Sequence, residues 1–332
     1  MSSPRKVVGA AAAAAVLAVG LSACSSTGGK PDSSGSGMAA GSADTPEISI
    51  AMVTHAPPGD TFWDLVRKGA ETAAAKDNVK LTYQGEQEAP NQANAIQSAI
   101  DSDVDGIALT LAKPEAMQPA VDAADAAGIP VVAFNSGFDD WKNVGALEYF
   151  GQDEAIAGRA VGERLNQEGA TRAICVNQVQ GHVGLEARCA GIKETFHGSI
   201  ENLYVTGTDM PSVQATIGAK LQQDPAIDYI VTLGGPFAMT ALDAVREAGS
   251  KAKVGTFDTN AEVVSSIQSG DGVQWAVDQQ PFLQGYLAVD SLWLYLNNGN
   301  VIGGGEATLT GPAFIDSTNV DSVAEYATAG TR

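Results

Sequence analysis

From Glu47 onward, short apolar runs alternate with longer segments whose apolar residues recur every three or four positions. Short runs of this kind read as strands and the longer periodic segments as helices. The pattern predicts strands over 48–53, 81–84, 107–111, 131–134 and 146–150. Helices are expected over 61–78, where Phe62, Leu65, Val66, Gly69 and Ala73 share a face, over 91–102, and from Pro114 to Gly128. Proline suits the first helical position and glycine the left-handed turn that ends a helix. The same grammar then restarts, with helices over 155–168, 184–197, 212–223, 238–248 and 261–270 and strands over 173–176, 203–206, 229–233, 253–258 and 273–279. A last long helix, 281–297, carries Phe282, Tyr286, Val289, Leu292, Trp293 and Leu296 on one side. Strands alternating with helices build parallel sheets, and two similar half-chains predict an α/β protein of two doubly wound lobes. The chain is expected to cross back after Gln279, which gives a first lobe of 47–151 with 281–310 and a second of 152–280 with 311–328.

Composition narrows the class. The chain has 332 residues, 44% of them hydrophobic, which is enough for two lobes of ordinary size. A formal charge of −20 with no basic stripe excludes a nucleic-acid partner, because phosphate neutralisation needs clustered Lys and Arg. Residues 1–23 carry Arg5 and Lys6, then an apolar, alanine-rich core too short to span a membrane, and close on Leu21-Ser22-Ala23-Cys24. This resembles a bacterial lipoprotein signal, which implies a lipidated Cys24 and a protein held on the outer face of the cytoplasmic membrane, within the periplasmic space where an outer membrane is present. Residues 24–46 are Gly, Ser, Ala and Asp with scarcely a large apolar group, and read as a flexible tether. Cys175, in an apolar strand, and Cys189, on the helix that follows, are predicted to form a disulfide in an oxidising compartment.

Candidate chemistry collects at the strand ends. His55, Asp60, Phe62 and Trp63 follow the first strand, and Asn135 and Ser136 the fourth. Gln152 and Asp153 open the second half. Gln178 and His182 precede a helix carrying Arg188, and Asp258 and Gln279 end the last two strands. In open α/β sheets ligands bind beyond the carboxyl ends of the strands. Aromatic rings with Asn, Asp, Gln and Arg suit a polyhydroxylated ligand: rings cover C–H faces, while amide, carboxylate and guanidinium groups pair with hydroxyls. A buried Asp258 needs a donor, which Arg188 is placed to supply. Each residue also has a plainer reading, Asp258 as the cap of the helix near Ala261, Phe62 as core, and Arg188 as a surface charge.

From about Glu47 to Ile315 the chain resembles the solute-binding proteins of bacterial sugar importers, of the ribose- and galactose-binding (periplasmic binding protein type I) kind. On that resemblance the family's aromatic pair falls on Phe62 and Trp63 with Asp60 before it, its fourth-strand polar pair on Asn135 and Ser136, its helix arginine on Arg188, and its late aspartate and glutamine on Asp258 and Gln279. Ribose-type proteins have Asp-Arg where this chain has Asn135-Ser136, and a polar amide where it has Gly234, which points away from ribose itself. The resemblance implies capture of a neutral sugar or polyol by a monomer, delivery to ABC permease subunits, and closure about a hinge near Gly151, Gln280 and Gly311. A sensing module for a sugar-like signal, in chemotaxis or quorum sensing, would use the same cleft. No Gly-x-Ser-x-Gly, Walker or His-Glu-x-x-His motif marks an enzyme, and three histidines form no legible metal cluster. No cofactor is expected.

Overall fold

The computed structural model describes residues 43–332; the signal, Cys24 and nearly all of the tether lie outside the described residues. The first half runs β1 (Ile48–Thr54), α1 (Thr61–Asp77), β2 (Val79–Gly85), α2 (Ala89–Asp101), β3 (Gly106–Leu109), α3 (Pro114–Ala126), β4 (Val131–Phe134) and β5 (Tyr149–Gly151). The second runs α4 (Glu154–Gln167), β6 (Arg172–Asn177), α5 (Val183–Thr195), β7 (Ser199–Tyr204), α6 (Met210–Gln223), β8 (Tyr229–Thr232), α7 (Gly235–Glu247), β9 (Lys253–Phe257), α8 (Ala261–Ser269) and β10 (Val273–Asp278). Then come α9 (Pro281–Asn298), β11 (Thr308–Leu309), β12 (Ala313–Asp316) and α10 (Asp321–Thr328).

Two six-stranded sheets result, in the orders β2-β1-β3-β4-β5-β11 and β7-β6-β8-β9-β10-β12. Pairs in the first are parallel throughout, but β12 runs antiparallel to β10. The sequence pattern predicted neither β11 nor β12, which lie in a stretch interrupted by Gly303-Gly304-Gly305 and Gly311-Pro312. The direction of β12 follows from its origin. Only three residues separate it from β11, and a strand that leaves one sheet at the end facing the cleft enters the other sheet heading away from the cleft.

Each lobe closes one helix pair tightly. A Cβ on Gly69 of α1 would lie 1.9 Å from the Phe282 carbonyl oxygen, and one on Gly285 of α9 would lie 2.0 Å from that of Val66, so α9 packs on α1 at backbone contact. In the other lobe a Cβ on Gly158 of α4 would meet the Arg188 carbonyl oxygen at 2.3 Å, and one on Gly191 of α5 that of Ala155 at 2.5 Å. The buried face of α9 keeps the predicted Val289 and Leu292 but is otherwise rotated from the expected one. Gln284 and Ser291 are fully buried while Phe282, Tyr286, Trp293 and Leu296 are half-buried, because the hydrogen bonds of Gln284 and the close approach at Gly285 set the rotation of the helix.

The face of α1 follows the pattern, with Phe62, Leu65, Val66, Gly69 and Ala73 all buried, and Asn78 ends it in the left-handed conformation. Cys175 of β6 and Cys189 of α5 form a disulfide with Cα atoms 5.9 Å apart. The three passages between the sheets lie side by side. Thr310 N–H donates to Gly151 O (2.7 Å), the Gln280 side chain donates to Thr310 O (2.7 Å), and a Cβ on Gly311 would meet Asp278 O at 2.9 Å.

Candidate functional site

The carboxyl ends of both sheets face a cleft of about 950 Å³ including its mouth. From the first lobe it is lined by His55, Asp60, Phe62, Trp63, Asn135 and Ser136, and from the second by Gln178, His182, Arg188, Phe237, Asp258 and Gln279. Asn135 and Asp258 hold equivalent places. Each follows the last residue of a strand, donates its backbone N–H to the neighbouring strand (to Phe150 O and Val277 O, both 2.8 Å), and takes a positive φ, 65° and 68°. Asn and Asp tolerate this region better than other side chains, and the kink keeps both among the residues lining the cleft. Asp258 therefore does not cap α8. Asn260 does, its Oδ1 accepting from Val263 N–H at 2.8 Å.

Arg188 is buried, and its guanidinium lies 4.6 Å from the centre of the Phe257 ring. Its fork is taken by Glu154: Nε donates to Oε2 at 2.6 Å and Nη2 to Oε1 at 2.8 Å. The expected donor role of Arg188 toward Asp258 is thus reduced to an approach of Nη1 to Oδ2 at 3.8 Å. The close donor is Gln279, whose Nε2 reaches Asp258 Oδ1 at 2.6 Å. Burial pushes the Asp258 carboxyl up to about 7, against the opposing pull of Arg188 and Gln279. Burial alone would lower the guanidinium's pKa, but Glu154 and Asp258 more than offset that and hold Arg188 above its ordinary value.

Below this group an amide network joins the lobes. Asn135 Nδ2 donates to Gln279 Oε1 (3.3 Å) and Gln284 Oε1 (3.1 Å), Gln284 Nε2 donates to Gln279 Oε1 (2.9 Å), and Ser136 Oγ donates to Asn135 Oδ1 (3.1 Å). Burial leaves these groups little choice of partner, so the network fixes which polar atoms the cleft floor presents.

His55 and His182 meet across the lobes with Nε2 atoms 2.9 Å apart. His182 caps α5, its Nδ1 accepting from Gly184 and Leu185 N–H (3.1 and 3.4 Å), so its proton sits on Nε2. His55 Nε2 is then the acceptor, and its Nδ1–H donates to Thr110 Oγ1 at 2.7 Å. Burial, then the neighbouring His182 and Arg188, lower the His55 pKa well below its ordinary value. Burial and then Arg188 bring His182 down to about 3. Both rings are neutral. With its Nε2 protonated, His182 has no lone pair for a metal, and no group of three or more His, Cys, Asp or Glu among the described residues is arranged to hold one.

The aromatic wall continues from His55 to Trp63 (ring centres 4.7 Å apart, edge on) and from Trp63 to Phe62 (5.1 Å). Both Phe62 and Trp63 line the cleft and are also buried in the first lobe's core. Asp60 lines the cleft while capping α1 through Phe62 N–H (3.0 Å), and burial raises its pKa. Gln178 Oε1 is buried without a hydrogen-bond partner.

Two candidates lie elsewhere. Asp153 caps α4 through Ile156 N–H (2.9 Å), and Gln152 is fully buried with its Nε2 on Glu154 Oε2 (2.7 Å); neither lines the cleft. The passage from β5 to α4 buries Gln152 and leaves Asp153 partly exposed at the start of α4, away from the cleft. Glu154, Gln284 and Phe237 were not singled out from the sequence. Nothing local distinguishes Glu154 from other first-turn acids, although a buried arginine demands a carboxylate and Glu154 stands beside two residues already noted.

A family model described as a periplasmic binding protein domain matches residues 50–300, and the chain belongs to that family. The structure is similar to that of a carbohydrate transporter from Acidothermus cellulolyticus 11B in complex with myo-inositol, with 56% identity, a TM-score of 0.85, and coverage of 86% of this chain and 100% of that one. It is also similar to an ABC transporter solute-binding protein from Burkholderia graminis in complex with D-arabinose (26% identity, TM-score 0.73, 83% and 97% covered). A xylose/arabinose-binding protein of Sulfolobus acidocaldarius is 23% identical over 294 residues, covering 83% of this chain and 72% of that protein.

Proposed function

We propose that this member of the periplasmic binding protein family is the solute-binding component of an ABC importer, taking a neutral sugar or polyol into the cleft between its lobes and delivering it to permease subunits. The observation that carries this reading is the placement of Phe62 and Trp63 on one wall of a cleft whose other wall holds Arg188, Asp258 and Gln279. Rings cover the C–H faces of a sugar while the planar polar groups pair with its hydroxyls. The unpartnered Gln178 Oε1 awaits such a donor. The myo-inositol and D-arabinose bound by the similar structures support the same ligand class. No catalytic role is assigned, and a sensing role is disfavoured by relatives that are transport proteins.

In this reading the lobes are 47–151 with 281–310 and 152–280 with 311–328, and they close about the three adjacent passages. The protein acts as a monomer, exported by residues 1–23, lipidated at Cys24 and tethered by 24–46. No helix among the described residues is long and apolar enough to cross a membrane. The test is a thermal-shift screen of neutral sugars and polyols beginning with myo-inositol. A ligand at 100 times its Kd stabilises by about 2.7 kcal/mol, and no shift with any neutral polyol sinks the reading.

A further inference from the structure

Two cations line the cleft among the described residues: Lys113, exposed at the mouth, and Arg188, buried within. A buried guanidinium is a strong site for a carboxylate, because its planar fork matches both oxygens. Whether it accepts an anion depends on what already holds the fork. Here both fork positions are spent on Glu154, and Nη1 donates to Leu233 O at 3.2 Å. Of the five guanidinium N–H groups, two are left unspent by these bonds, and the charge they carry is already compensated.

Glu154 is buried and is not on the cleft wall; it reaches Arg188 from behind. Its position is set by the helix contact, since it stands one turn before Gly158, whose Cα face meets Arg188 O. Among the described residues its only cationic partner is Arg188, and its one further donor is the neutral amide of Gln152.

We propose that Glu154 is a specificity-determining residue acting from outside the cleft: by neutralising Arg188 from behind, it makes the cleft accept uncharged polyols and turn away their carboxylate counterparts. This rests on the importer reading and deepens it. The groups facing a ligand at this point agree with it. His55 and His182 are held neutral, Asp258 adds a second carboxyl 3.8 Å from Arg188, and Asp60 adds a third across the cleft. Beyond the exposed Lys113, an anionic ligand would meet within the cleft one cation already paired and surplus carboxylates.

The test measures Kd by calorimetry for D-glucose against D-glucuronate and myo-inositol against quinate, at a pH where Asp258 is ionised. The wild-type protein should bind the neutral member at least about tenfold more tightly. Glu154→Gln, which keeps the shape and removes the charge, should move the acid-to-neutral ratio toward the acid by at least about tenfold. Glu154→Asp, which keeps the charge and shortens the reach, should weaken both ligands and leave the ratio where it was. A merely structural Glu154 would lower both affinities in Glu154→Gln with the ratio unchanged, and that result overturns the proposal. If Glu154→Gln does not fold, the double variant Glu154→Gln/Arg188→Gln, which removes both members of the ion pair together, decides: it should still reject the acids, and preferential binding of an acid overturns the proposal. A wild-type protein that binds no neutral polyol at all refutes instead the importer reading.

Discussion

Nε2 of His182 donates across 2.9 Å to Nε2 of His55, one ring carried by each lobe, and neither can take a second proton without breaking this contact or the cap of α5. Protonating His55 would set two N–H groups against each other, and protonating His182 would remove the acceptor of Gly184 N–H.

Closure should therefore be opposed by acid. In an open form solvent would relieve the burial that lowers each ring and move it back toward 6.5, more fully for His55 than for His182, which keeps Arg188 and the cap of α5 in its own lobe, whereas the closed pair is lowered far below it. The closed form then binds fewer protons, so its stability is fully present above pH 6.5 and is lost as pH falls through that value. Ligand affinity should drop by up to about tenfold per histidine at one pH unit below. His182→Asn, which still caps a helix, should flatten part of that slope; affinities equal at about pH 7.5 and 5.5 in the wild type would refute the coupling.

Asp258 acts on the ligand-free protein with the opposite sign. Its carboxyl titrates at about 7 when folded and near 3.9 when unfolded, so the folded state holds the proton longer and stability falls as pH rises between those values. Asp258→Asn should raise stability above pH 7 by roughly 2–4 kcal/mol, with little change near pH 4, while ligand affinity collapses. Thermal melts at the two pH values check the first half and calorimetry the second.

Gly158→Ala should cost about 1–3 kcal/mol or more, because its Cβ would lie 2.3 Å from Arg188 O and push α4 off α5. Ligand affinity should fall with it, since Glu154 would be drawn away from Arg188. Gly218→Ala on α6, where a Cβ meets nothing within 4 Å, should be neutral or stabilise by up to about 1 kcal/mol. Equal melts for the two variants would disprove the helix-contact argument.

Trp63→Ala should weaken both binding and closure, read as a smaller ligand-induced change in radius of gyration by small-angle scattering. Lys220→Ala on α6, where the side chain pairs with Glu201 of β7 and does not line the cleft, should alter neither. A ligand bound tightly by the wild type with no change of radius would place it in one lobe only.

Cys24→Ser should release the protein from the membrane fraction, since the tether offers no large apolar anchor. Persistence in that fraction after carbonate washing would rule out lipid anchoring at this residue.

The sequence by itself determined the alternation of strands and helices, because each element's buried face is a local periodicity. It also marked the strand ends, since a polar residue after an apolar run, such as Asn135 or Asp258, has one place to go in a parallel sheet. What it left open are relationships between residues far apart in the chain. Glu154 meets Arg188 across 34 positions and His55 meets His182 across 127, and no local pattern encodes which helix approaches which, or how closely. That was decided by backbone contact at Gly158 and Gly191, and by a cleft that brings two lobes' strand ends together. The passage from β5 to α4 kept Gln152 and Asp153 off the cleft wall, and the helix contact gave Arg188 to Glu154 rather than to Asp258. The reversed strand β12 belongs here too: only the three-residue passage from the other sheet fixes its direction.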